Sequence, residues 1–265
     1  MGQPLFQLLP GDGPDRWRLP LTPALSVGPG DDLFMFGGVG LAAAVRALEA
    51  TLSRPLAWAT AHYLAAARPP ADLELEVRTL AAGRRVTHAR VVGRAGTAEV
   101  LAVSAALGGD ADGPARQWLH PPAIAPPGDC TPIVLWPGQE GNLNGRLEVR
   151  TPLGPPRRDG TPSDDGRFVA WLRTCEGDAP DAALLAVFAD YVPAALGVAL
   201  GRYGGGSSLD NTLRIHGVAP TEWVLADAQI SGVRSGLAHG AIRLFAEDGR
   251  LLATGSQSMV VRLLD

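Results

Sequence analysis

The sequence contains no lysine, and all 23 of its basic side chains are arginine. Arginine is the better bidentate phosphate ligand. Here, however, 27 acidic residues outnumber the arginines and leave a net charge of −4. Nucleic acid is therefore not the expected partner, because a phosphate backbone selects a basic face. Codon bias in a GC-rich genome accounts for the missing lysine and for the abundance of alanine, glycine and proline. Cysteine is also scarce: Cys130 and Cys175 are the two in the chain. Neither belongs to a C-x-x-C pair or stands at ligand spacing from a histidine, so no metal, no redox chemistry and no cofactor is expected. The N-terminus lacks a basic n-region with an apolar core, and Phe6 stands where a myristoylation signal wants Ser or Thr. Apolar runs are short. The stretch from Leu33 to Val45 reads as the longest; it carries three glycines and stops at Arg46, so no membrane span is expected. These exclusions leave a cytoplasmic, globular chain.

What is present is two passes through one pattern. Leu41, Val45, Leu48 and Leu52 recur at helical spacing in an alanine-rich segment that opens at Gly37-Gly38, predicting a helix buried on nearly all sides. The segments 57–64, 73–80, 86–92 and 100–107 then read as strands, with Leu73, Leu75 and Val77 alternating against Glu74, Glu76 and Arg78. Residues 111–140 are a proline-rich linker that reads as extended chain, stiffened by prolines from Pro114 to Pro137. Beyond it, 147–150 and 168–173 read as strands around a Pro/Arg/Asp-rich loop. Asp181 to Leu200 reads as a second apolar helix, kinked or interrupted at Pro193. Further strands run to the C-terminus, with a hairpin turn at Asp248-Gly249. Short strands are expected at 17–19 and 24–27, broken by Pro20 and Pro23.

Such a repeat fixes architecture. Each half contributes an antiparallel sheet curled around its own helix, and joining the sheets edge to edge protects two edges. The fold class is α+β. The division is residues 1–110, the linker 111–140, and residues 141–265. Three polar residues interrupt the apolar strands of the second half: Asp210, Ser231 and Gln257. Aligned on the repeat, they fall opposite Thr60, Ala81 and Ala106, so the trio occurs once per chain.

The chain resembles the acyl-CoA thioesterase II family, whose members have the double hotdog fold. The likeness rests on Phe36-Gly37-Gly38, on His62-Tyr63 followed by Arg68-Pro69, on Ser208-Leu209-Asp210, on Glu222-Trp223, and on Asp248-Gly249, Gln257 and Arg262. It implies hydrolysis of an acyl-CoA to free acid and CoA. In that family an Asp, a Thr or Ser, and a Gln hold the attacking water. Carried over, these are Asp210, Ser231 and Gln257, with Asp210 either the base or the group that orients the water. Pro70 stands where the family usually has glycine. No G-x-S-x-G is present, so direct attack by water is the simpler mechanism. The oxyanion would be met by backbone N–H groups at the helix start, where Gly37 and Gly38 permit close approach to substrate.

Two alternatives stay open. A hotdog enoyl-CoA hydratase pairs an Asp with a nearby His; Asp210 with His216 matches in kind, although the spacing is one residue long and the helper Asn-Pro is missing. An acyl-CoA-binding double hotdog protein without turnover is the other. Acyl-CoA is the expected ligand in each case, and a homodimer remains open.

Overall fold

The computed structural model describes residues 4–109, 112–135, 138–152, 159–202 and 204–263. Pro137 and the loop at 153–158 lie outside them. In chain order the strands of the first half are β1 (Leu9–Pro10), β2 (Arg16–Leu21), β3 (Ser26–Val27), β4 (Phe34–Met35), β5 (Leu56–Tyr63), β6 (Ala71–Ala82), β7 (Val86–Ala95) and β8 (Ala98–Gly108). Those of the second half are β9 (Thr131–Pro132), β10 (Leu147–Thr151), β11 (Arg167–Thr174), β12 (Gly204–Ser208), β13 (Asp210–Ile215), β14 (Val224–Arg234), β15 (Leu237–Ala246) and β16 (Leu251–Leu263). The helices are α1 (Gly37–Leu52), α2 (Ala182–Ala189) and α3 (Val192–Leu200).

Period-two alternation decides which face of each strand meets the helices. Leu73, Leu75 and Val77 point inward while Glu74 and Arg78 face solvent. The same holds for Ala89 and Val91 on β7 and for Val103, Ala105 and Leu107 on β8. These rows close over α1, whose residues from Gly38 to Val45, with Ala47 and Leu48, are buried. Alanine supplies both high helix propensity and the small volume that lets a helix be packed on every side.

The two halves form one continuous sheet in the order β1-β2-β6-β7-β8-β5-β13-β16-β15-β14-β11-β10-β9, with β12 also paired to β16. This is the double hotdog architecture, and its seam is the antiparallel β5–β13 pair. Thr60 and Thr212 face each other there, and their hydroxyls lie 3.1 Å apart across 152 positions of sequence. That offset relates the halves through a local twofold. It carries Ser104 to Ser256, which pair with Thr60 and Thr212 in turn.

The structure revises three expectations. β2 runs through Pro20 because that residue lies on an edge, past the short β1 that pairs only at Arg18 and Trp17. The longest apolar stretch is not 33–45 but Ala182–Leu200, 19 residues with mean hydropathy 1.9. It is long and apolar enough to span a membrane, yet it is largely buried in the core and broken into α2 and α3. The break falls at Asp190-Tyr191, ahead of Pro193. A proline ring clashes with the carbonyl four residues earlier, here Ala189, and its fixed φ suits the first turn of the next helix. The helix therefore stops at Ala189 and restarts at Val192.

The segment after β8 packs on the outer face of the second sheet. Ile124 and Ala125 cover Trp171, Trp223, Leu225, Phe245 and Leu251, and the Trp171 indole donates to Ala125 O at 3.0 Å. Gln117 locks the strap by donating to Gly249 O and accepting from Leu251 N. β14 is consequently buried on both faces, which explains its near-continuous apolar run Val224-Leu225-Ala226.

Candidate functional site

α1 and α2 pack antiparallel. Gly38 lies against Ala186 and Val187, and Arg46 pairs with Asp181 at 3.0 Å. The start of α1 therefore meets the end of α2. A helix start carries unpaired N–H groups and a partial positive charge, so it attracts an anion. The anion is Asp190. Freed from the helix by the break, its side chain accepts from Gly38 N at 2.6 Å through Oδ2. Its other oxygen accepts from Gln257 Nε2 at 2.6 Å, and the same nitrogen donates to Ser208 Oγ at 2.5 Å. Asp190 is 4% exposed and Gln257 2%. One carboxylate, one amide and one hydroxyl thus form a connected chain at the meeting point of α1, α2, β12 and β16.

Burial pushes the Asp190 carboxyl up from 3.8 to about 6, against the pull of the hydrogen bonds from Gln257 and Gly38. Burial outweighs bonding here because no cation among the described residues faces the group. A carboxylate that titrates near 6 is ionised at neutral pH and still basic enough to take a proton from water. Around it lie four buried polar atoms without a hydrogen-bond partner: Tyr63 Oη, both amide atoms of Asn211, and Gln257 Oε1. Asn211 lies beside Asp190 and Tyr63 and pulls the pKa of each down as a weak hydrogen-bond donor, although neither contact has the geometry of a well-formed bond. Buried polar groups are normally satisfied, and a group of orphans marks a place where water or a ligand sits.

Of the residues expected from sequence, the structure brings Gln257 into this cluster, sets Asp210 at its edge, where its charge reaches Tyr63, and puts Ser231 in solvent. Asp210 opens β13 just past Leu209, where the chain kinks between β12 and β13. Both strands pair with β16, and the kink leaves Ser258 N without a ladder carbonyl. Asp210 Oδ1 supplies the missing acceptor at 2.6 Å. Ser231 is the extra residue of a β-bulge between Ile230 and Gly232, and it is exposed. A bulge at the related place in the first half makes Leu80, not Ala81, its counterpart. The same twofold carries Gln257 to Ala105 and Asp210 to Trp58, so the pairing with Ala106 and Thr60 was out of register. Asp210 opens β13 and His216 lies just past its end, roughly 20 Å away at strand rise. His216 is exposed, with Nε2 3.4 Å from Thr254 Oγ1. The pair required for the hydratase reading does not form.

Gly38 is placed as expected at the helix start, but its N–H is already engaged by Asp190. The half-buried Gly37 N–H carries no hydrogen bond among the described residues. A β-carbon on Gly37 would lie 2.9 Å from Asp190 Oδ2 and 3.1 Å from Tyr63 Cζ. Glycine is therefore what lets the carboxylate and the phenol close over the helix start.

Asp190 and Asn211 were not singled out from sequence, and Tyr63 and Ser208 entered only as parts of the motifs His62-Tyr63 and Ser208-Leu209-Asp210, with no role in the site. A signal existed for Asp190: it is the lone acid in a 19-residue apolar run, and a buried carboxylate needs built partners. Asn211 gave none, being an ordinary polar residue just past a glycine-rich turn.

The acyl-CoA thioesterase N-terminal domain family matches residues 28–108, and the corresponding C-terminal domain family matches residues 127–261. The chain belongs to the acyl-CoA thioesterase family. A candidate thioesterase of Novosphingobium aromaticivorans DSM 12444 is 36% identical, with a TM-score of 0.88 over 96% of this chain and 98% of that one. A hotdog-fold protein of unknown function from Alicyclobacillus acidocaldarius is 19% identical, with a TM-score of 0.84 over 98% and 97%. An acyl-CoA thioesterase II from Mycobacterium marinum is 17% identical, with a TM-score of 0.73 over 98% and 96%. At the last two identities the likeness concerns the fold. Among curated proteins none matches the sequence significantly.

Proposed function

We propose that the protein hydrolyses an acyl-CoA thioester, with Asp190 as general base on a water held beside Gln257 and Ser208. The observation that carries this reading is the buried Asp190 carboxylate, bonded to Gly38 N and Gln257 Nε2 and raised to about 6. Asp190 takes one proton from the water as its oxygen attacks the thioester carbon. The resulting oxyanion is met by the free Gly37 N–H at the positive end of α1. The C–S bond then breaks, and the proton returns from Asp190 to the CoA sulfur, giving the acid and the free thiol. The Ser208 hydroxyl and Gln257 Oε1 retain capacity to hold the water. Leu64 and Leu209, 55% and 42% exposed, present apolar surface beside the site, on either side of the bond from Tyr63 N to Leu209 O. An acyl chain would enter there.

Purified protein is assayed with a thiol reagent against saturated acyl-CoAs of several lengths, alongside Asp190→Asn, Ser208→Ala and Gln257→Ala. Thiol release by the wild type, abolished by Asp190→Asn and cut at least tenfold by the other two, is the expected result. Tight binding of acyl-CoA with no release would leave a non-catalytic binder.

A further inference from the structure

Tyr63 has no part in the water chemistry, yet it stands at the centre of the unsatisfied groups. It ends β5, and its N–H donates to Leu209 O across the seam. This tie brings its ring over the start of α1. Its hydroxyl is buried and has no hydrogen-bond partner. It lies 3.2 Å from the position a Gly37 β-carbon would take, and Asp190 Oδ2 lies 2.9 Å from the same position. Burial, then the Asp190 charge, push the phenol well above its ordinary range against the pull of Asn211, and Asp210 adds to the push, so it is a proton donor at neutral pH. Asn211, fully buried with both amide atoms unpaired, flanks the same space. Two donors, Tyr63 O–H and Asn211 Nδ2–H, and two acceptors, Asn211 Oδ1 and Gln257 Oε1, therefore lie around one carboxylate without a well-formed partner among the described residues. A water has two hydrogens and two lone pairs, so by count one water meets all four in the free protein. When substrate enters, the attacking water turns one hydrogen to Asp190, and the carbonyl oxygen takes the Tyr63 O–H.

Resting on the thioesterase reading above, we propose that the Tyr63 hydroxyl is a catalytic hydrogen-bond donor to the thioester carbonyl oxygen, completing with the Gly37 N–H a two-donor oxyanion site. Gly38 N–H cannot fill this place, because Asp190 occupies it. The phenol is fixed before substrate arrives, by the seam bond at its own backbone. Such a preset donor in a water-poor site strengthens as charge develops on the oxygen.

The test is Tyr63→Phe, which removes one oxygen and keeps the ring that packs the seam. The expected kcat falls about 10²- to 10³-fold, as for loss of one oxyanion donor, with KM within about threefold. The acid limb of the pH profile, set by Asp190, stays where it is in the wild type. Thermal stability is unchanged or higher, because the lost hydroxyl had no well-formed protein partner among the described residues. A role confined to packing would give the reverse pattern, with a lower Tm and kcat retained. A kcat within about threefold of wild type overturns the inference and leaves the thioesterase reading intact, provided Asp190→Asn is inactive in the same assay. A wild type that releases no thiol from any acyl-CoA overturns both.

Discussion

Asp190→Asn separates the base from everything else the residue does. The substitution keeps the shape, and the carbonyl oxygen can still accept from Gly38 N. It removes the charge. Raising the carboxyl from 3.8 to about 6 means the folded protein holds a proton that the unfolded chain has lost between those pH values. The ionised group therefore costs folding stability, by about 3 kcal/mol once pH exceeds both values. The cost is absent near pH 3 and complete near pH 8. The amide carries no such cost, but its NH2 meets the Gln257 NH2 unless the Gln257 amide turns over, which returns part of the gain. A net stabilisation of about 1–3 kcal/mol at pH 8, shrinking toward nothing near pH 4, is expected from urea denaturation. Over the same range the wild-type kcat/KM falls as pH drops through 6, because only the ionised carboxylate takes the proton. The variant loses about 10²- to 10⁴-fold in kcat, the usual worth of a positioned base. An active variant, or an equal stability difference at pH 5 and pH 8, would show that Asp190 is neither the base nor a strained anion.

Other substitutions test the placement of neighbouring groups. Gly38→Ala would put a β-carbon 2.9 Å from both Val187 Cα and Asp190 Cβ, so it should push α2 from α1, cost about 1–3 kcal/mol by overpacking, and reduce kcat. Asp210→Ala removes the acceptor for Ser258 N; the half-buried site should lose about 1–3 kcal/mol, seen as a lower denaturation midpoint. Ser231→Ala, at an exposed bulge, should leave stability within about 0.5 kcal/mol and thiol release unchanged.

The sequence determined the fold more completely than the site. Alternation on 73–78, the alanine-rich helix after Gly37-Gly38, the Asp248-Gly249 turn and the doubling of the pattern each express local periodicity or turn chemistry. Such features survive in one dimension, and they specify two sheets around apolar helices. Gln257 was legible too, as a polar residue on the face of β16 that Gly255 and Met259 turn to the core. The rest of the site depended on facts with no local signature. Pro193 announces an interruption, but only packing decides that the break frees Asp190 to reach Gly38, 152 residues away. Asp210 and Ser208 stand two residues apart on one kinked edge. The kink alone decides that the carboxylate repairs the ladder at Ser258 while the hydroxyl joins Gln257. Ser231 was expected to face the site, but the β-bulge at that position puts it in solvent. Pairing register and helix contact are collective properties of the tertiary structure, and they decide which polar residues of this chain meet.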